Sequence, residues 1–146
     1  MRSNIDVITP TNKSEIKTYY QIRFEELRKP WNQPVGSEKD SIEEQCIHRM
    51  IKLDGYCIGV GRLQYNENHQ AQIRYMAIKK AYQRKGFGRI LIADLESIAK
   101  EDGMAEIILQ SREIAIDFYK KLDYKVEKKT HLLFDDIQHF LMKKYL

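Results

Sequence analysis

The chain has 146 residues, of which 42% are hydrophobic and 32% are charged, and its formal net charge is +4. This balance predicts one globular domain over residues 1–146 and disfavours a disordered chain. No apolar run approaches the roughly 20 residues that cross a bilayer, and the first residues form no apolar secretion segment, so we expect a cytoplasmic protein without a membrane partner.

The first predicted elements are a strand and a helix. Residues 4–9 alternate polar and apolar side chains, which is typical of a strand. Asn12 is one of the residues that can cap the following helix. The apolar positions of this helix recur at helical spacing before Pro30: Ile16, Tyr20, Phe24 and Leu27. The proline-containing segment 30–40 then predicts an ordered loop.

A β-hairpin is the clearest short-range signal in the sequence. Residues 46–53 and 56–65 flank Asp54-Gly55, which is a favoured two-residue hairpin turn. A second turn follows, and residues 70–79 return as another strand. The sequence therefore predicts three consecutive antiparallel strands.

A helix and a short strand follow this meander. Gly86 and Gly88 open the helix and Gly103 ends it, after which the apolar residues 105–110 predict a strand. A strand–helix–strand unit over residues 71–110 implies a locally parallel strand pair.

The remaining chain predicts a short helix and a closing strand pair. Apolar residues near 115–122 form one helical face, and residues 124–133 and 138–145 form an antiparallel pair. The predicted fold class is therefore α/β, of the α+β kind. It has a mixed, mostly antiparallel sheet that is flanked by helices.

Charge and cysteine usage restrict the ligands. The positive charge suits a phosphorylated ligand as well as nucleic acid, but no nucleic-acid-binding motif accompanies it, so we expect no nucleic-acid partner. Cys46 and Cys57 form no Cys-x-x-Cys motif, so we expect no metal site.

Residues 83–89 carry the main chemical signal. Gly86 and Gly88 let backbone amides approach a ligand closely, and the unpaired amides at a helix start favour an anion. Positive charge surrounds them at Arg84, Lys85 and Arg89. A dinucleotide loop needs a third glycine where Leu91 stands, and a P-loop needs Gly-Lys-Ser/Thr, so neither fits. The glycines alone predict either an anion site or an ordinary glycine-rich turn.

Three segments together resemble the GNAT superfamily of N-acetyltransferases. Residues 83–88, Gln-Arg-Lys-Gly-Phe-Gly, resemble its Gln/Arg-x-x-Gly-x-Gly/Ala signature. Residues 76–78 stand where the family has the strand edge before this loop. Residues 115–124 resemble its Ala-x-x-Phe-Tyr-x-x-x-Gly-Phe/Tyr segment. The order of elements is similar over about residues 4–145.

The tail resembles one branch of the superfamily more narrowly. Residues 134–143 are similar to the Phe-x-x-x-Gly-Ile-Pro-His-x-x-Met tail of the ElaA-type branch. Asp136 and Gln138 replace the glycine and the proline of that pattern.

The resemblance implies acetyl-CoA as co-substrate, bound between two parallel strands that splay apart, here 71–79 and 105–110. The pantetheine amides would pair with the free edge of the first strand, and the amides of residues 84–89 would hold the pyrophosphate. The implied binding residues are Met76, Ala77, Ile78, Gln83, Arg84, Lys85, Gly86, Phe87, Gly88 and Arg89.

The resemblance also implies direct attack of an amine on the thioester. Tyr119 matches the family tyrosine that gives a proton to the departing thiolate, and a backbone N–H near Ala77 would stabilise the oxyanion. The general base is left unassigned; the candidates are Glu25, Glu26, His48, Cys57 and His139. The residues that could line an acceptor pocket are Tyr19, Tyr20, Arg23, Glu26 and Trp31. Two residues depart from the family pattern, Arg112 and Asp123.

The predicted function is transfer of an acetyl group to a primary amine of a small molecule or peptide of unknown identity. A non-catalytic acyl-CoA-binding module is the alternative, because the strand before the loop contains no carboxylate. A nucleic-acid-binding domain is a third class, and a homodimer stays open.

Overall fold

The computed structural model describes residues 3–146, in which seven strands form one sheet with three helices against it. The strands are β1 Ile5–Ile8, β2 Ile47–Leu53, β3 Tyr56–Tyr65, β4 Gln70–Ile78, β5 Glu106–Arg112, β6 Lys125–Leu133 and β7 Ile137–Tyr145. The helices are α1 Lys13–Leu27, α2 Phe87–Glu101 and α3 Ile116–Lys120. Within this part of the chain, no helix has the length and apolar character that a bilayer crossing requires.

The sheet order is β1-β2-β3-β4-β5-β7-β6, and β4 and β5 are its parallel pair. Their pairing runs from Gln70 opposite Glu106 only as far as Ile73 opposite Leu109. Both strands continue beyond that point, so their carboxyl-terminal ends part. The predicted mixed, mostly antiparallel sheet with a splayed parallel pair is confirmed.

The closing pair of strands enters the sheet in reversed order. β7 lies between β5 and β6, and it pairs with β5 from Glu106 opposite Tyr145 to Arg112 opposite His139. The sequence predicted the β6–β7 pair but not its placement, because pairing between distant segments leaves no local signal. This insertion brings His139 beside the parted end of β5.

A β-bulge in β4 marks the place where the strands part. Val60 pairs with Ala77 and Arg62 with Arg74, so two residues of β4 stand opposite Gly61 alone. One of the two, Tyr75, has φ 50°, which is a costly conformation for a side chain of its size. A bulge bends its strand and increases its twist.

Helix α2 buries one apolar face against the sheet, namely Leu91, Ile92, Leu95 and Ala99, with Ile98 partly buried beside them. Burying an aliphatic side chain of this size contributes about 1.5–3 kcal/mol relative to leaving it exposed. The helix therefore holds its first turn firmly at the end of β4.

Helix α1 begins as predicted but buries a partly different face. Asn12 caps it in a capping box with Glu15. The predicted apolar face is confirmed only in part. Tyr20 and Leu27 pack, partly buried, against the core. Ile16, however, is 41% exposed, and Tyr19 and Arg23 are fully buried. A buried arginine is invisible to a search for apolar periodicity.

An ion cluster explains why Arg23 can be buried. Arg23 donates to Glu43 at 2.8 Å, and Arg62, which is equally buried, donates to the same carboxylate at 3.0 Å. Arg62 also makes two bonds of 2.8 Å to Asp40. These contacts tie the loop before β2 to α1 and β3.

We expect Asp123→Gly to stabilise the fold by about 1 kcal/mol, because a left-handed residue with a Cβ is strained. Asp123 is exposed, has φ 72° and lies just after α3. Chemical denaturation measures the change. Asp117→Gly, within α3, is the matched control and should destabilise; equal effects of the two substitutions would contradict the prediction.

Candidate active site

Two cavities meet where β4 and β5 part. The larger cleft, of about 740 Å³, lies between the end of β4, the start of α2 and α3. The smaller pocket, of about 270 Å³, lies between the parted strands and the ends of β6 and β7. Both are lined by Leu27, Trp31, Met76, Arg112, Ala115 and Tyr119. The two cavities therefore adjoin each other at these residues.

The free edge of β4 faces the larger cleft. Lys79 donates its backbone N–H to Ile58 of β3 at 2.8 Å. Because backbone groups alternate in direction along a strand, the groups of Ala77 also face β3, while those of Met76 and Ile78 face the cleft. An oxyanion donor near Ala77 would therefore be the N–H of Met76 or Ile78.

The loop after β4 is fixed to the strand and leaves its amides open. The Gln83 side-chain amide donates to the Ile78 carbonyl at 2.9 Å. Gly86 has φ 89° and stands at the N-cap of α2, where no side chain caps the helix. The first amides of α2 therefore have no side-chain cap and can bind an anion.

Gly88 allows a close approach at this helix start. A Cβ atom on Gly88 would lie 3.1 Å from Cζ of Phe118 and 3.6 Å from Cε of Met76. A side chain there would require the Phe118 ring to shift by a few tenths of an ångström. The glycine thus lets the start of α2 lie close against Phe118.

Basic side chains line the same cleft as the open amides. They are Lys80, Arg84, Arg89, Arg112 and Lys121. Two members of the predicted set do not line it: Lys85 is exposed, and Phe87 packs against Tyr82 with ring centroids 6.4 Å apart. The amides and charges together fit a diphosphate.

Tyr119 lies at the junction of the two cavities. It packs edge-on against Phe118 and Tyr124, with ring centroids 4.9 and 5.7 Å apart. Burial raises the pKa of Tyr119 to about 12, although the charge of Arg112 acts in the opposite direction. The phenol is therefore protonated at neutral pH and can donate a proton or a hydrogen bond.

His139 forms part of the wall of the smaller pocket and is 8% exposed. Its Nδ1 lies 2.9 Å from the Ile137 carbonyl, which can only accept, so Nδ1 carries the proton and Nε2 keeps a lone pair. Burial lowers the pKa of His139, and the neighbouring His131 and Arg112 lower it further. A neutral imidazole with a fixed tautomer can act as a base.

Two other base candidates have different surroundings. Glu26 lines the larger cleft rather than the smaller pocket, and burial, with the charge of Glu25, raises its pKa. Glu25 accepts a hydrogen bond from Gln21 at 3.1 Å on the helix surface.

His48 and Cys57 lie outside both cavities. Nε2 of His48 donates to the Glu43 carbonyl and Nδ1 accepts from Tyr19, both at 2.7 Å, so both ring nitrogens are engaged. Burial raises the pKa of Cys57, which makes its thiol unreactive.

The smaller pocket differs from the predicted acceptor pocket. Of the predicted lining residues only Trp31 lines this pocket. Tyr19 and Arg23 do not, because they lie on the buried face of α1. Sequence reasoning missed Arg28, Arg74 and His131, which do line it. No Asp or Glu is found among the described residues of its wall.

Comparison with known proteins places this arrangement among acetyltransferases. The model of the Acetyltransferase (GNAT) family matches residues 16–124. The protein YyaT of Bacillus subtilis (strain 168) is 34% identical over 107 residues, which are 73% of this chain and 71% of that protein. The N-acetyltransferase YjcF of the same organism is 27% identical over 133 residues, 91% and 94% of the two chains.

Solved structures share the whole fold. A candidate N-acetyltransferase from Lactobacillus plantarum has a TM-score of 0.86 at 22% identity, with 97% and 98% of the two chains covered. A Bacillus subtilis acetyltransferase in complex with CoA has a TM-score of 0.74 at 17% identity, with 99% of each chain covered.

We expect CoA to raise the Tm, and Gly86→Trp to abolish the rise by filling the cleft. A ligand at a concentration of about 100 times its Kd raises the free energy of unfolding by about 2.7 kcal/mol. For a chain of this size, this corresponds to a rise in Tm of roughly 5–10 °C. Gly103→Trp is the matched control, because the two glycines have similar backbone conformations, with φ 81° at Gly103 and 89° at Gly86, and a Cβ at either would meet no atom within 4 Å. Gly103 does not line the larger cleft. A CoA-dependent shift that survives Gly86→Trp would contradict the prediction.

Proposed function

Because this chain belongs to the GNAT family of acetyltransferases, we propose that it is a single N-acetyltransferase domain that acetylates a primary amine of a small molecule or peptide. Acetyl-CoA is its co-substrate. The junction of the two cavities at Met76 and Tyr119 carries the proposal, because it provides one place for a thioester and another for an amine.

The larger cleft suits the co-substrate. The open amides at the start of α2 would hold the pyrophosphate, together with Arg84 and Arg89. The cleft-facing backbone groups of Met76 and Ile78 would pair with the pantetheine amides as an added strand does. Gln83 would act indirectly, by fixing the loop to Ile78.

The smaller pocket suits the amine. The amine nitrogen forms a bond to the acetyl carbonyl carbon, and the carbon–sulfur bond then breaks. An ammonium group with a pKa of about 10.4 is almost entirely charged at neutral pH, so it must lose one proton to a base before attack. The nitrogen loses a second proton from the tetrahedral intermediate, and the sulfur gains one, so that one proton is released to solvent overall.

We assign the removal of protons from the amine to His139 and the protonation of the sulfur to Tyr119. Nε2 of His139 would take the proton of the amine, since its tautomer leaves that lone pair free. The hydroxyl of Tyr119 would give a proton to the sulfur, since burial keeps it protonated. Tyr119 on α3 and His139 on β7 line the same pocket. This favours catalysis over a non-catalytic acyl-CoA-binding role.

Tyr119→Phe should lower kcat by about a hundredfold while KM for acetyl-CoA stays nearly constant, because only the proton donor is lost. Release of the CoA thiol across a library of amines measures this. Tyr82→Phe is the control, since Tyr82 lines the larger cleft but not the smaller pocket. Full activity of Tyr119→Phe would remove the tyrosine from the mechanism, and no thiol release with any amine would refute the proposed function.

His139→Gln should lower kcat by about a hundredfold at pH 7 and remove the acid limb of the pH profile. In the native protein the lowered pKa of His139 keeps it neutral, so kcat should hold down to the ordinary histidine pKa of 6.5 and fall only below it. His131→Gln is the neighbouring control and should keep that limb. If the limb persists in His139→Gln and disappears in Glu26→Gln, the base is Glu26.

A further inference from the structure

Three arginines give the smaller pocket a positive charge: Arg28, Arg74 and Arg112. Arg74 forms an ion pair with Asp40 at 3.5 Å, whereas Arg28 and Arg112 have no carboxylate partner among the described residues. Arg28 donates to the backbone carbonyls of Ser37 and Leu27 at 3.0 and 2.8 Å, and carbonyls carry no full charge. For Arg112, no ion pair occurs within residues 3–146; its guanidinium lies 6.0 Å from the Trp31 ring.

Arg28 and Arg74 lie beside the same aromatic ring. Their guanidinium carbons are 5.4 and 4.8 Å from the centroid of Tyr75. Burial lowers the pKa of Arg28, and the charge of Arg74 lowers it further. Two guanidinium groups in the wall of one pocket favour an anion in that pocket.

The carboxylates at the edge of the pocket are already engaged. Asp40 accepts two bonds of 2.8 Å from Arg62 and reaches Arg74 only at 3.5 Å. Asp136 accepts the indole N–H of Trp31 at 3.2 Å. The pocket therefore offers little to an acceptor with several positive charges.

We propose that the acceptor is a small primary amine that also carries a carboxylate or phosphate group, which Arg28 and Arg74 bind together. This inference rests on the proposed function and names its substrate class. The pocket volume of about 270 Å³ lies just below the usual range of ligand sites, about 300–1,000 Å³. A compact acidic amine fits it, with its amino group towards Tyr119 and His139.

A panel of amines with a common four-carbon chain tests the charge preference. The panel contains 4-aminobutyrate, n-butylamine and 1,4-diaminobutane, which carry a carboxylate, an uncharged methyl group and an ammonium group at the far end. We expect kcat/KM to be about tenfold to a hundredfold higher for the acid, as charged hydrogen bonds imply. O-phosphoethanolamine against ethanolamine separates a phosphate from a carboxylate preference.

Arg74→Glu should reverse this order and favour 1,4-diaminobutane. Arg74 is exposed, so the substitution should leave the fold intact. Lys100→Glu is the matched control, because it makes the same charge change on the exposed side of α2, outside both cavities, and should keep the order. Arg28→Gln should raise KM for the acids without raising KM for acetyl-CoA.

Calorimetric binding in the presence of CoA separates this inference from the proposed function. If the acids bind no more tightly than their uncharged analogues, or if Arg74→Glu keeps the native order, the acidic-acceptor inference is wrong. Acetylation of n-butylamine would still support the enzyme in that case. If the acids bind more tightly and no amine releases CoA, the anion site stands and the proposed function fails.

Discussion

The parting of β4 and β5 is the constraint on which the rest of the site depends. Continuous pairing would satisfy the backbone groups of both strands and leave no cavity between them. Because pairing stops at Ile73 and Leu109, the later N–H and C=O groups of β4 face a cleft. Unpaired backbone groups favour a ligand that can hydrogen-bond as a strand does. The same gap provides the space of the smaller pocket.

The bulge at the parting lies against a cluster of charged groups. The ring of Tyr75 lies within 5.4 Å of four guanidinium groups, those of Arg23, Arg28, Arg62 and Arg74. Beneath it the buried ion cluster leaves Nε of Arg23, Nε of Arg62 and Oε1 of Glu43 without partners among the described residues. Such a cluster contributes little net stability, but it specifies one geometry, because removing any one member leaves a buried charge.

Local signals predicted most of the fold and the larger cleft. The Asp54-Gly55 turn predicted the hairpin, and Gly86 and Gly88 predicted the start of α2. Both features could be predicted because a turn and a helix start depend only on neighbouring residues. The buried face of α1 and the positive φ of Tyr75 depend on contacts across the sheet, so no local pattern reveals them. The smaller pocket joins Arg28, Arg74 and His139, which only the strand order brings together.

The position of β7 has a consequence for synthesis of the chain. Every residue that lines the larger cleft precedes residue 123, whereas the smaller pocket also needs residues 131–139. Because a chain is made from its N-terminus, the larger cleft, where we propose that the co-substrate binds, can assemble while β5 still has an open edge. Exposed edges invite pairing with other chains. The strand that supplies His139 is therefore also the one that closes this edge, and it does so last.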